Sequence, residues 1–125
     1  MLALKEEEMG IITIVLRKSP YGTVDAAEAV RHALGGITED IETHLVLVDG
    51  GVNSARRGQD LASTGYASIE EGIRDCIDMG ITVSVDKESV AVAGIVPQEL
   101  VEGVNILSGS EIVGLIQKAD TTMIF

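Results

Sequence analysis

Short runs of β-branched and aliphatic residues recur along the chain without the polar alternation that is typical of a half-exposed strand. They lie at Gly10–Lys18 (GIITIVLRK), Thr43–Val48, Ile81–Val85, Val104–Leu107 and Thr121–Phe125. Strands of parallel sheets have this pattern, because helices cover both faces of such sheets. The runs therefore predict about five buried, mostly parallel strands.

Helical patterns separate these runs. Val24–Leu34 has apolar residues at spacings of three and four, and Gly35–Gly36 is expected to cap that helix. The sequences Ser68–Glu71 and Ser108–Glu111 have the capping-box pattern that begins a helix. The small-residue segment Ser89–Gly94 is predicted to be helical and to end at its glycine.

Alternating strands and helices predict an α/β fold: a three-layer α/β/α domain with an open, mostly parallel sheet of about five strands. The chain has 125 residues, of which 46% are hydrophobic, so it is long and apolar enough for one compact core. We expect one domain at residues 10–125, preceded by a flexible tail at residues 1–9.

The net charge of −11 makes nucleic acid and membrane surfaces poor partners, because both are negatively charged. The acidic start LKEEEMG lacks the basic and then apolar order of a signal peptide. We therefore expect a cytoplasmic protein.

Recognisable catalytic and cofactor motifs are missing from the sequence. It has neither G-x-G-x-x-G nor the phosphate-binding G-x-x-x-x-G-K-[ST]. Cys76, His32 and His44 are too few for a zinc site unless carboxylates or a second subunit contribute ligands. We expect no metal and no cofactor, and the residues favour a protein that is not an enzyme while leaving an enzyme open.

The carboxyl ends of the predicted strands supply the candidate binding residues, because open α/β sheets bind ligands there. The candidates for this cleft are Tyr21, Gly22, Thr23, Asp49, Gly50, Asp86 and Ser89. Each has an ordinary structural alternative, since Asp, Gly and Ser are also the favoured residues of turns and helix caps.

Cys76 is the only thiol and, with Asp86, one of two weak candidates for a catalytic residue. It lies on the apolar face of its predicted helix with Ile69, Ile73 and Ile77, and Asp75 is its neighbour. A reactive cysteine needs exposure and a positive environment. The pattern therefore favours a buried, unreactive Cys76, with a sulfur carrier acting through Cys76 as an alternative.

Several short motifs occur in an order that resembles the DsrE/DsrF-like sulfur-relay family over nearly the whole chain after residue 9. They are Arg17–Thr23 (RKSPYGT), Val48–Val52 (VDGGV), Gly80–Val85 (GITVSV), Ser89–Ile95 (SVAVAGI) and the terminal ADTTMIF. The sequence is most similar to the DsrF or TusC branch, one of the subunit types of hexameric sulfur-transfer complexes.

The resemblance implies that a sulfur-accepting cysteine follows the third strand in active family members, where this chain has Asp86. It thus implies a non-catalytic or regulatory subunit of an intracellular sulfur-relay assembly. The expected partners are further copies of the chain, as a trimer or hexamer, or a cysteine-bearing DsrE-type protein. The alternative is a stand-alone small-molecule-binding protein or enzyme that uses the cleft.

Overall fold

Residues 10–61 and 64–125 are described by the computed structural model, so the predicted tail at residues 1–9 lies outside the described residues. The strands are β1 (Ile11–Leu16), β2 (Glu42–Leu47), β3 (Thr82–Asp86), β4 (Asn105–Leu107) and β5 (Thr121–Ile124). They form one sheet in the order β4-β3-β2-β1-β5, and every neighbouring pair is parallel. The predicted fold class is confirmed.

Four α-helices connect the described strands. They are α1 (Asp25–Thr38), α2 (Ile69–Asp78), α3 (Lys87–Val92) and α4 (Gly109–Lys118), and 3-10 helices span Asp49–Ala55 and Pro97–Glu99. The chain advances across the sheet from β1 to β4 and then returns to the opposite edge at β5. Because such crossovers are right-handed, α1, α2 and α3 cover one face of the sheet and α4 covers the other.

The first face carries the main apolar core. Ile14, Leu45 and Val83 lie in neighbouring strands and are almost fully buried, together with Ala29 of α1 and Ile73 of α2. Burial of each large aliphatic side chain contributes about 1.5–3 kcal/mol relative to exposure. This core fixes the positions of the strand ends where the candidate site lies.

The second face is covered by α4 and is more polar. Ile112 is the only buried side chain among the residues of α4. Beneath this helix layer, the buried atoms Thr13 Oγ1, His44 Nδ1 and Ser84 Oγ have no hydrogen-bond partner among the described residues. A buried polar atom without a partner costs free energy.

The expected helix cap at Gly35 and Gly36 is wrong. Helix α1 continues through both residues to Thr38. Gly36 is a packing residue instead, because a Cβ atom there would lie 2.7 Å from Thr43 Oγ1 of β2. The glycine lets helix and sheet approach closely.

The two predicted helix starts are found at Ser68 and Ser108. The Ser108 hydroxyl accepts from the Glu111 N–H at 3.3 Å, and the Glu111 carboxylate accepts from the Ser108 N–H at 3.0 Å. The hydrogen bond that the Ser108 N–H donates to the carboxylate, and then the Ser108 hydroxyl beside it, hold the pKa of the Glu111 carboxyl below its usual value. Ser68 accepts from the Glu71 N–H at 3.2 Å.

Candidate functional site

A cleft of about 470 Å³ opens at the carboxyl ends of β2 and β3. It is lined by residues of the 3-10 helix after β2, of the end of β3, and of α3 and its C-cap: Asp49, Gly50, Asn53, Asp86, Glu88, Ser89, Val92 and Ala93. This is the edge at which open parallel sheets bind ligands. The cleft is therefore the candidate functional site.

Ser89 joins the ends of the two strands. Its hydroxyl donates to Asp86 Oδ2 at 2.6 Å and accepts from the Asp49 N–H at 2.9 Å. The Ser89 N–H also donates to Asp86 Oδ2, at 3.1 Å, so Asp86 is both the last residue of β3 and the cap of α3. These hydrogen bonds orient the Asp86 carboxylate and the Asp49 backbone toward the cleft.

The Asp49-Gly50-Gly51 turn brings the chain close to the end of β1. Asp49 has φ of 50°, a left-handed conformation that Asp tolerates better than most residues. A Cβ atom on Gly50 would lie 2.6 Å from Ser19 Oγ, and one on Gly51 would lie 2.1 Å from the Leu16 carbonyl oxygen. Glycine is required at position 51 because the obstacle there is backbone, whereas at position 50 the nearest atom belongs to the Ser19 side chain.

The lining of the cleft is acidic. Asp49, Asp86 and Glu88 contribute carboxylates, and no Lys or Arg is among the lining residues. Within residues 10–61 and 64–125, His, Cys, Asp and Glu side chains form no group of three that could hold a metal ion. The cleft is thus suited to a cationic group rather than to an anion.

The structure brings Asp49, Gly50, Asp86 and Ser89 into the cleft, whereas Tyr21, Gly22 and Thr23 do not line it. The Tyr21 hydroxyl bonds with Gln59 Oε1 and accepts from the Ile69 N–H at 3.2 Å. Thr23 Oγ1 accepts from the Asp25 N–H at 3.3 Å, at the start of α1. Through these hydrogen bonds, Tyr21 and Thr23 hold the segment between β1 and α1 in place.

Sequence reasoning missed four lining residues: Asn53, Glu88, Val92 and Ala93. The sequence contains a signal for Glu88, which belongs to the charged run Asp86–Glu88 at the end of β3. The sequence contains no such signal for Val92 and Ala93, because an apolar residue in a short helix is normally assigned to the core. Only the structure shows that Val92 faces outward.

Cys76 lies away from the cleft, within α2, and its side chain is fully buried. Removal from water raises the pKa of the Cys76 thiol to about 12, and the negative charge of Asp75 adds to that shift. Almost no thiolate exists at neutral pH under these conditions. A thiol in this state is a poor nucleophile.

The fold is that of a small α/β protein with an open cleft at the carboxyl edge of its parallel sheet. The DsrE/DsrF-like family model matches residues 10–125, and the chain belongs to this family. In the described part of the chain, no helix is both long enough and apolar enough to cross a bilayer.

Relatives share sequence with this chain, and a solved structure shares its fold. An uncharacterized protein of Methanopyrus kandleri is 26% identical over 95% of this chain and 97% of its own length. The intracellular sulfur oxidation protein DsrF of Allochromatium vinosum is 33% identical over 69% of this chain and 64% of its own length. The crystal structure of the YchN protein from E. coli shares the fold, with a TM-score of 0.85, 24% identity and coverage of 93% of this chain and 99% of that chain.

Proposed function

We propose that this chain is a non-catalytic or regulatory subunit of an intracellular, cytoplasmic sulfur-relay assembly, in which a cysteine-bearing partner carries the sulfur. Its membership of the DsrE/DsrF-like family supports a role in sulfur transfer. So does its similarity to a protein named as an intracellular sulfur oxidation protein. The proposal treats residues 10–125 as one domain.

One observation carries the non-catalytic role: the residue that ends β3 inside the cleft is Asp86. The resemblance to the family implies that active members have their sulfur-accepting cysteine at about this point. A carboxylate has no sulfur atom with which to form a persulfide. Asp86 instead accepts two hydrogen bonds from Ser89, which is a structural use of the side chain.

The burial of Cys76 argues against the alternative of a sulfur carrier through this residue. A sulfur donor reaches the thiol only if α2 separates from the sheet, because the side chain has no exposed surface. The raised pKa of Cys76 also disfavours the thiolate that attacks a sulfur donor.

The proposed assembly is a trimer or hexamer of this chain, alone or mixed with a cysteine-bearing DsrE-type protein. Exposed aliphatic side chains support it. Val24, Val92 and Ile124 are 71%, 89% and 64% exposed. Apolar surface of this kind is often covered by another subunit.

A second candidate function is a stand-alone small-molecule-binding protein or enzyme. The size of the cleft, about 470 Å³, favours it, since small-molecule sites have volumes of about 300–1,000 Å³. Here the side chains of Asp49 and Asp86 would bind the ligand. A native mass spectrum with a bound small molecule and no second protein would favour this candidate.

The test of the proposed function is sulfur loading followed by intact mass measurement. The wild type, Cys76→Ala and the double variant Asp86→Cys/Cys76→Ala are incubated with a cysteine desulfurase and cysteine. We expect no added sulfur on the first two proteins and one added sulfur atom on the double variant, whose new thiol lies in the cleft. A sulfur atom on the wild type that is absent from Cys76→Ala would overturn the non-catalytic role.

Native mass spectrometry of the chain from its own cells tests the assembly. We expect an oligomer that contains several copies of the chain, a cysteine-bearing protein, or both. A monomer of 13.2 kDa at all concentrations contradicts the proposed assembly.

A further inference from the structure

We infer that the free edge of β5 pairs with the same edge of a second copy of this chain, antiparallel and about a two-fold axis at Met123. The two five-stranded sheets then form one continuous sheet. This inference rests on the proposed function in one respect, since it takes the chain to be an oligomer. It adds the surface of contact, and it selects a hexamer over a trimer, because only the hexamer contains two-fold contacts.

Strand β5 lies at one edge of the described sheet and pairs with β1 alone. The Phe125 N–H donates to the Val15 carbonyl, and the Phe125 carbonyl accepts from the Arg17 N–H, both at 2.8 Å. The backbone of Phe125 therefore faces β1. Because these directions alternate along a strand, the N–H and carbonyl groups of Ile124 and Thr122 face away from β1. Such an edge is a template for another strand.

The edge of β5 lacks the features that usually keep a strand edge unpaired. Proteins protect free edges with lysine, proline, bulges or very short strands. Thr121–Ile124 contains neither lysine nor proline, and its register with β1 is continuous. At the opposite edge of the sheet, β4 has only three residues. Of the two edges, β5 is therefore the one suited to pairing.

An apolar patch lies beside this edge. Ile124 pairs with Val15, so its side chain shares the face of the sheet that α4 covers, yet it is 64% exposed. Since α4 is right-handed and runs antiparallel to the strands, the positions one and four after the buried Ile112 turn toward β5. Val113 and Ile116 occupy them and are 51% and 37% exposed. A second copy paired with β5 removes aliphatic surface from water.

The charges around β5 favour a second copy in antiparallel orientation. The acidic Asp120 precedes the strand. The exposed basic residues Arg17 and Lys18 follow β1 at the other end, where the Arg17 N–H bonds with the carbonyl of Phe125. Antiparallel pairing brings the acidic end of each strand to the basic end of the other. The paired stretch has no charge, so the net charge of −11 opposes this contact weakly.

The register follows from the direction of the outward groups. In an antiparallel ladder, two residues whose backbone groups face each other exchange both hydrogen bonds. An axis at Met123 pairs Thr122 of one copy with Ile124 of the other, and it pairs the whole stretch 121–125 with itself. The two Met123 residues then lie opposite each other, with Cα atoms about 4.5 Å apart.

Disulfide trapping reads this register directly. In the full chain with Cys76→Ala, Met123→Cys places two thiols within the range that a disulfide requires. Thr121→Cys is the matched control, because position 121 lies opposite position 125 of the other copy. Under mild oxidation with diamide, we expect Met123→Cys to form a covalent dimer at least about tenfold faster than Thr121→Cys. Equal rates, or no dimer from either variant, would overturn the two-fold pairing.

Native mass spectrometry of variants tests the edge and the patch. Thr122→Pro removes an N–H that β1 does not use, and Ile124→Lys adds the residue that commonly protects free edges. We expect each to weaken the two-fold contact about tenfold or more, so that hexamers separate into trimers. Met79→Lys is the control, since Met79 is 50% exposed but follows α2. Equal weakening by Met79→Lys, or unchanged association of the first two variants, contradicts the contact.

Amide hydrogen exchange detects any other occupant of the edge. We expect the Thr122 N–H to exchange slowly in the wild type and faster in Ile124→Lys. If deletion of residues 1–9 instead releases this N–H without changing the oligomer, the preceding segment covers the edge and the inference is wrong.

The contact and the proposed function fail separately. If the chain assembles with a cysteine-bearing sulfur carrier while Met123→Cys forms no covalent dimer, the proposed function stands and the contact fails. If Met123→Cys forms the dimer but the chain from its own cells has neither a larger assembly nor such a partner, the contact stands and the proposed function fails.

Discussion

The backbone at Gly51 passes so close to Leu16 that a Cβ atom there would lie 2.1 Å from the Leu16 carbonyl oxygen. The same oxygen accepts a hydrogen bond from the Val48 N–H at 3.0 Å. The end of β1 and the turn after β2 are therefore locked together. This contact places Asp49 and Gly50 at the cleft.

The first prediction is that Gly51→Ala destabilises the protein by about 3 kcal/mol or more, since neither the carbonyl of Leu16 nor the turn can move without losing strand hydrogen bonds. Urea unfolding measures the change. Gly114→Ala is the matched control, because a Cβ atom at Gly114 in α4 meets nothing within 4 Å. That variant should be stabilised by up to about 1 kcal/mol. Similar behaviour of the two variants would contradict the close contact.

The second prediction concerns pH and Cys76. The thiol has a pKa of about 12 in the folded protein, against about 8.5 for a thiol in an unfolded chain. Between these values the unfolded chain has released the proton and the folded one has not, so the free energy of unfolding falls by about 1.4 kcal/mol per pH unit as pH rises. The contribution is fully present below pH of about 8.5.

Denaturant unfolding of the wild type and of Cys76→Ala from pH 8 to 11 isolates this effect. Lysines and tyrosines titrate in both proteins, so the difference between the two curves belongs to the thiol. We expect the difference to change with pH in the stated direction, and we expect no reaction of Cys76 with a disulfide reagent in the folded state at neutral pH. A parallel pair of curves together with rapid labelling would show that Cys76 is exposed.

The sheet was predictable from the sequence because buried parallel strands have a simple local pattern, as in Ile11–Leu16. The role of Gly36 was not predictable from the sequence, because glycine serves both as a helix cap and as a point of close packing. The distinction depends on Thr43, which approaches Gly36 only in the folded chain.

The candidate site was predictable in part for a similar reason. Asp49 follows β2 and Asp86 ends β3, and strand ends meet at one edge of a parallel sheet. Tyr21 also follows a strand, but its hydroxyl is engaged by Gln59 and by the N–H of Ile69. Bonds between residues this far apart in sequence leave no local signal.

The third prediction addresses the polar layer beneath α4. Thr13 is fully buried, and its hydroxyl has no partner among the described residues. Thr13→Val keeps the shape of the side chain and removes that hydroxyl, so we expect a gain of about 1 kcal/mol in the free energy of unfolding.

Thr122 is the control, because it pairs with Thr13 across β1 and β5 but is exposed. Thr122→Val should change stability by less than about 0.5 kcal/mol. A loss of stability in Thr13→Val would mean that the hydroxyl is hydrogen-bonded, for example to a buried water.

The fourth prediction concerns Ser89, whose hydroxyl links Asp86 and the Asp49 N–H. Ser89→Ala removes both bonds and leaves the ends of β2 and β3 joined only by the sheet. We expect a loss of about 1–2 kcal/mol, because one of the lost bonds is to a charged group. The amide of Asp49 should also exchange its hydrogen faster, which NMR measures at this one position. Ser110→Ala is the control, since among the described residues the Ser110 hydroxyl bonds only with the Ser108 hydroxyl, at 3.2 Å, on an exposed turn of α4. If the two variants unfold alike and exchange at Asp49 is unchanged, Ser89 does not hold the cleft together.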